Sequence, residues 1–378
     1  MEDIFADIRP YTDAEVAEVL PVLAKSKLVA AAGKVLFPDQ SPDALQNLIA
    51  SCRTVDEFQE KVISKVVGMD LGISHSSLTY SGVENFIKSD GSVGTFLMLS
   101  THRDIVLDPA LVQYTLFLNH LPTTEIAAGD NLLDNPEVAM VMRANRMVKV
   151  VRSDNARVVY DTSRRLSAYI RSRVATGEKS LWIAHRSGRT KDGCDRTEQG
   201  LLKMLDMSGE GGFAESFGEL NIMPVTISYE YETCAALKAL ELYCKEKQGF
   251  YRKKPGEDAN SMLQGFIQHK GRIHVDFCKP ITQEELLEAD RANRNEKFRI
   301  LASILDSRIA SSFRLWPSNW AAADILSGGE TYLKEGRYTL QDRENLVAHI
   351  KKECEGMPAE IYDRVLNIYA ANIINKKQ

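Results

Sequence analysis

Thr95-Phe96-Leu97-Met98-Leu99-Ser100-Thr101-His102-Arg103-Asp104-Ile105-Val106-Leu107-Asp108-Pro109 is the stretch from which the chain can be read outward. Thr95 to Leu99 is a short apolar run bounded by polar residues, the pattern of a buried strand. Ala110 to Leu118 is longer and apolar, the pattern of a helix. Asp108 followed by Pro109 predicts the start of that helix. Asp accepts orphan N–H groups, and proline's fixed φ suits the first helical position. His102 therefore falls where a strand ends, a few residues ahead of a helix N-terminus that favours negative charge. Chemistry on an oxyanion or a phosphate fits that place.

Downstream, short apolar runs alternate with longer helical patterns. The runs are Thr95–Leu99, Thr124–Ala128, Met147–Val151, Ser180–Ala184, Ile222–Ser228 and Arg272–Phe277. Helical patterns fall at Ala110–Leu118, Pro136–Ala144, Asn155–Ala175, Glu198–Leu205, Cys234–Lys247 and Ala259–Gln268. The alternation predicts an α/β fold with a mainly parallel central sheet flanked by helices. Ligands in such folds bind at the carboxyl ends of strands. His102, Arg152 and the turn Arg186-Ser187-Gly188-Arg189 all follow strand ends, which predicts one shared site. Tyr229 also emerges at a strand end, but its strand reads as structural.

Both ends of the chain read as helical. Residues 1 to about 80 carry capping boxes at Thr12–Glu15 and Thr54–Glu57 and no strand of their own, a helical cap. A further box at Thr282–Glu285 opens a last helical segment. Its stripe is Phe298, Leu301, Ile304, Leu305 and Ile309, and it closes on Lys376-Lys377-Gln378. For Trp316 and Trp320 core packing is the preferred role and contact with lipid head groups the alternative. The division is 1–90, 91–282 and 283–378.

The 378 residues carry a net charge of −5, with 44% hydrophobic and 26% charged residues, an ordinary globular composition. No apolar run reaches the ~18–20 residues of a membrane span, and the acidic start, Met1-Glu2-Asp3, does not read as a targeting segment. The six cysteines lack paired spacing, which predicts reduced thiols. The histidines have no ligand spacing, so no metal is expected. From Arg143 to Lys203, fifteen Lys/Arg stand against six acids, a local +9 that predicts a positive patch for an anionic ligand. The patch lacks interleaved aromatics, which disfavours nucleic acid. His102-Arg103-Asp104 mimics a kinase catalytic loop, but Pro109 stands where that loop needs Asn. Ala214-Glu215-Ser216-Phe217-Gly218 lacks the first glycine of a serine-hydrolase elbow.

Four blocks in this order resemble the phospholipid/glycerol acyltransferase superfamily. They are His102 to Asp108, Val150-Val151-Arg152, Ser187-Gly188-Arg189 and Met223-Pro224-Val225, with 271–281 similar to the family's closing strand. The resemblance covers about residues 92–282. It departs from the family in having five residues rather than four between His102 and Asp108, and Ser187 where the family has glutamate.

The resemblance implies transfer of a fatty acyl group from acyl-CoA or acyl-carrier protein to the hydroxyl of glycerol 3-phosphate or 1-acylglycerol 3-phosphate, with no other cofactor. His102 would be the general base, partnered by Asp108 or, given the extra residue, by Asp104. Arg152, Arg186 and Arg189, with Ser187 and Gly188, would hold the phosphate. Arg103, Lys149 and Lys191 rank second, for the acceptor or the acidic donor. The N-terminus of the helix after Pro109 would supply oxyanion donors in part. A cytoplasmic protein that visits the inner membrane peripherally is implied. The loss of glutamate at 187 leaves open a different polar or amino-acid lipid acceptor, or a non-catalytic lipid- or carrier-binding role.

Overall fold

A computed structural model describes residues 3–133, 135–254, 256–293 and 295–374, with the backbone alone for 70–77. Met1-Glu2 and Lys376-Lys377-Gln378, read above from the sequence, lie outside the described residues, as does the side chain of His75. Seven strands form one sheet: His75–Ser81 (β1), Leu97–Ser100 (β2), Glu125–Gly129 (β3), Met147–Val150 (β4), Leu181–Ala184 (β5), Ile222–Tyr229 (β6) and Gly271–Phe277 (β7). Their order is β1-β7-β6-β2-β5-β3-β4. From β6 through β4 every pairing is parallel; β7 is antiparallel to β6 and parallel to β1. This is the α/β architecture with a mainly parallel sheet, and each of the six expected strands is present.

One expectation for the first eighty residues is corrected, because β1 belongs to the sheet. It is one of the two edge strands of this sheet, hydrogen-bonded on one side only. An edge needs no continuous apolar run, so His-Ser-Ser-Leu-Thr-Tyr-Ser carries no strand signature of the buried kind. The rest of the segment is helical: Asp13–Leu23 (α1), Lys27–Leu36 (α2), Ala44–Ser51 (α3), and Val55–Phe58 (α4) running through a π-helical stretch into Ser64–Ser74 (α5). Val16, Leu20, Leu23, Ile49, Phe58 and Val62 pack into their own core. The capping box at Thr12 is reciprocal. At Thr54 it is half formed: Thr54 accepts the Glu57 N–H, but the Glu57 carboxylate takes the N–H of Arg53 instead.

Helices cover both faces of the sheet. Leu107–Leu118 (α6) packs on one face, placing Leu107, Leu111, Val112 and Leu116 against Met98, Trp182 and Val225. Pro136–Ala144 (α7) follows β3 and packs on the N-terminal helices. The other face is covered by Ala156–Val174 (α8), Gln199–Asp206 (α9) and Phe213–Gly218 (α10), which meet Leu97, Leu99, Leu181 and Ile183. Next come Ala235–Gln248 (α11), Glu257–Ile267 (α12), Gln283–Asp290 (α13) and Glu296–Ser312 (α14). Of the expected stripe of α14, Phe298, Leu301 and Leu305 lie in that second core, Ile304 packs against it and Ile309 is buried. Pro317–Ser327 (α15), Thr331–Lys334 (α16), Leu340–Glu353 (α17) and Glu360–Ile374 (α18) form a helical cluster with α11. Trp316 is buried and donates its indole N–H to the Ser228 carbonyl, a packing role. No helix among the described residues is long and apolar enough to cross a membrane.

Candidate active site

The carboxyl ends of β2, β3, β4 and β5 open into a cavity of about 540 Å³. His102, Arg152, Arg186, Ser187, Gly188, Arg189 and Lys191 line its polar side, and Ala127, Val150, Leu166, Ile183, Leu201 and Met204 line its apolar side. Strand geometry explains the division. Val150 and Ile183 point to the α8/α9 face, while His102 and the arginines leave from the loops beyond the last paired residues.

His102 directs Nδ1 at Asp108 Oδ2, 3.4 Å away, and its side chain is 15% exposed, on the cavity. Its ring meets the edge of Trp182 at 6.3 Å. Asp108 is fully buried. Its Oδ2 also accepts the backbone N–H groups of Arg103 (2.5 Å) and Asp104 (2.8 Å), and its Oδ1 accepts the Tyr229 hydroxyl at 2.7 Å. Burial pushes the Asp108 carboxyl above its ordinary range. The Tyr229 phenol lies well above its own, from burial first and the neighbouring carboxylate second.

The helix start differs from the sequence reading. The helix begins at Leu107, and Asp108 lies inside it rather than at its cap. Asp104 does the capping: its Oδ1 accepts the N–H groups of Val106 and Leu107, each at 2.9 Å. Asp104 therefore faces backbone while Asp108 faces the ring. Of the N–H groups at this helix start, those of Val106 and Leu107 are taken by the Asp104 carboxylate. The first turn contributes its dipole.

β5 runs into a loop, 185–197, that crosses the strand ends and returns. His185 N–H bonds Ser100, Thr190 N–H bonds the His102 carbonyl at 2.6 Å, and Glu198 N–H closes the base on His185. Gly188 has φ +70°, the left-handed conformation that turns the loop between Arg186 and Arg189. Arg189 is 9% exposed. Its Nη2 donates to Ser261 Oγ at 3.2 Å, while Nη1 is buried with no partner among the described residues. Nε of Arg186 is likewise buried and unpartnered. Two guanidinium donors without acceptors in a cavity wall are costly unless an anion completes them. Arg152 is exposed and forms no ion pair among the described residues. Its guanidinium lies over Gly129, where a Cβ would sit 2.6 Å from Nε.

The second-rank residues separate. Lys191 lines the cavity but pairs with Glu241, and burial lowers its ammonium pKa. Lys149 leaves β4 on the opposite face from Val148 and Val150 and does not line the cavity. Arg103 is 1% exposed, with Nη2 on Asp195 at 2.6 Å and Nη1 on Glu232 at 2.9 Å. Its charge is spent on internal carboxylates, so the expectation that it contacts a ligand is corrected.

Three residues to which the sequence assigns no role in the site contribute to it. Tyr229 carries the second oxygen of Asp108. Trp182 walls the imidazole. Glu198 places Oε2 on the N–H of Ser187 at 3.0 Å and lines the cavity. A carboxylate eleven residues downstream thus stands beside the serine.

No family model matches the sequence, and no curated protein matches it. Among solved structures the chain is similar to the 1-acyl-sn-glycerophosphate (LPA) acyltransferase PlsC from Thermotoga maritima, at 13% identity. The match covers 79% of this chain and 95% of that one, with a TM-score of 0.40. At so distant a likeness nothing about activity passes from one chain to the other.

Proposed function

We propose that the chain is an O-acyltransferase. It moves a fatty acyl group from a thioester, acyl-CoA or acyl-carrier protein, to the hydroxyl of glycerol 3-phosphate or 1-acylglycerol 3-phosphate. The observation that carries the reading is the pairing, in one cavity wall, of an Asp-held imidazole with unpartnered donors of Arg186 and Arg189.

Nδ1 of His102 is turned to Asp108, which leaves Nε2 for the acceptor hydroxyl. Nε2 takes the proton as the hydroxyl oxygen attacks the thioester carbonyl. The tetrahedral intermediate collapses with the new C–O bond in place and the C–S bond broken. The thiolate leaves and recovers the proton from the imidazolium. Asp108 fixes the tautomer and stabilises the cation. Arg186, Arg189 and Arg152 hold the phosphate and so orient the hydroxyl. The apolar side of the cavity takes the acyl chain. Glu198, whose Oε2 accepts the Ser187 N–H, supplies a carboxylate beside the serine, which supports the phosphate acceptor over an altered one.

The test is thiol release by purified protein from acyl-CoA or acyl-carrier protein, with glycerol 3-phosphate or 1-acylglycerol 3-phosphate as acceptor. His102→Ala should lower the rate by ~10²–10⁴-fold, the usual worth of a general base. A variant as fast as wild type removes the catalytic assignment. Tight binding of lipid without thiol release from either donor would leave a non-catalytic carrier.

A further inference from the structure

We propose that the rim of this cavity is a docking surface for an anionic lipid leaflet, built from the first turns of α8 and the loop 249–254. The proposal rests on the cavity's being an acyl-transfer site, whose lipid substrates or products would enter from that side.

Both segments reach the same cavity, through Val159 from α8 and Lys253 from the loop. On α8, Val158 is 39% and Tyr160 59% exposed; in the loop, Phe250 is 66% exposed. Apolar side chains left in water on two neighbouring segments mark an interaction surface when cations surround them. Here they do. Arg157, Tyr160 and Arg164 share one helix face at i, i+3 and i+7, and Arg252, Lys253 and Lys254 follow Phe250 and Tyr251. Arg157, Arg164, Arg252 and Lys254 form no ion pair among the described residues. The exposed acids beside them on the α8 side are Asp154 and Asp161. In the loop, Lys253 is held by Asp258 and the Tyr251 hydroxyl by Glu257.

The mixture of cations and apolar side chains selects the occupant. A leaflet with anionic headgroups satisfies both, since rings and aliphatic groups enter the headgroup boundary while guanidinium and ammonium groups meet phosphates. A single-chain lipid could then slide from the leaflet into the apolar side of the cavity without crossing water.

The experiment is sedimentation of the full chain with vesicles of phosphatidylcholine alone or of equal parts phosphatidylcholine and phosphatidylglycerol. Wild type should bind the anionic vesicles, release them at high salt, and leave the neutral ones unbound. The pair Tyr160→Asp/Phe250→Asp and the pair Arg252→Glu/Lys254→Glu should each weaken binding by roughly tenfold or more. Melting temperature and thiol release with glycerol 3-phosphate and a short-chain soluble thioester should stay as in wild type. Wild type indifferent to anionic vesicles, or variants that bind as wild type does, overturns the surface. So does loss of acyl-carrier binding in the variants with vesicle binding kept. His102→Ala should bind vesicles fully, which separates the two readings: vesicle binding without turnover in wild type sinks acyl transfer and keeps the docking surface.

Discussion

Asp108 owes its place to neighbours that are far apart in the chain. Two backbone N–H groups fix one oxygen, and Tyr229, 121 residues away, fixes the other. Tyr229→Phe keeps the ring's packing but leaves Oδ1 without a donor. It should cost about 1–3 kcal/mol of stability by denaturant titration and lower kcat with little change in KM, because the acceptor is not touched. His185 makes a separate statement. It is fully buried beside Thr197 and 4.0 Å from Asp195, and burial lowers its pKa from 6.5 to about 4. Above pH 6.5 neither the folded nor the unfolded imidazole is charged, and the group is neutral to stability. As pH falls from 6.5 to 4 the unfolded chain takes the proton first, so on the order of 3 kcal/mol is lost across that window. Thermal melts at pH 7 and pH 4.5 should converge in His185→Gln by about that amount relative to wild type.

At the scale of elements, the loop after β5 is the part most dependent on others. Its far end is pinned where Gly193, at φ +76°, packs under α18. A Cβ there would lie 2.4 Å from the Ile368 carbonyl oxygen and would also need a left-handed backbone. Gly193→Ala should therefore cost about 1–3 kcal/mol, read from the urea midpoint, and raise KM for the phosphorylated acceptor as Arg189 shifts. The cationic character of this loop was legible because arginines flanking a glycine after an apolar run need no tertiary information. Its tie to α18 was not, since Gly193 in the sequence is one more loop glycine. β1 was missed for a comparable reason: pairing with β7 alone lets an edge strand keep serine and threonine along its length.

Across the whole molecule, the C-terminal helices belong to the same mechanical unit as the candidate site. Arg103, next to the proposed base, joins Asp195 of the loop to Glu232, which also binds Lys238 of α11 at 2.6 Å. The Tyr369 hydroxyl of α18 accepts the Glu232 N–H at 3.0 Å. Burial would raise the carboxyls of Asp195 and Glu232, but the neighbouring cations outweigh it and hold both below their usual range. Removing one member strands the others in a dry interior. Arg103→Met should thus cost about 3–5 kcal/mol, checked by the urea midpoint, although the residue does not line the cavity.

The sequence by itself determined the alternation of strands and helices, the carboxyl-end loops that carry His102, Arg152, Arg186 and Arg189, and the local excess of positive charge. Those are properties of periodicity and composition, written within a few residues of one another. Only the tertiary structure decided that Asp104 caps while Asp108 faces the ring, that Arg103 is an internal strut, and that Glu198 stands beside Ser187. Each of those depends on which partner a polar group finds after burial. A guanidinium or carboxylate looks the same in sequence whether it awaits a ligand or has already been neutralised from a distant element.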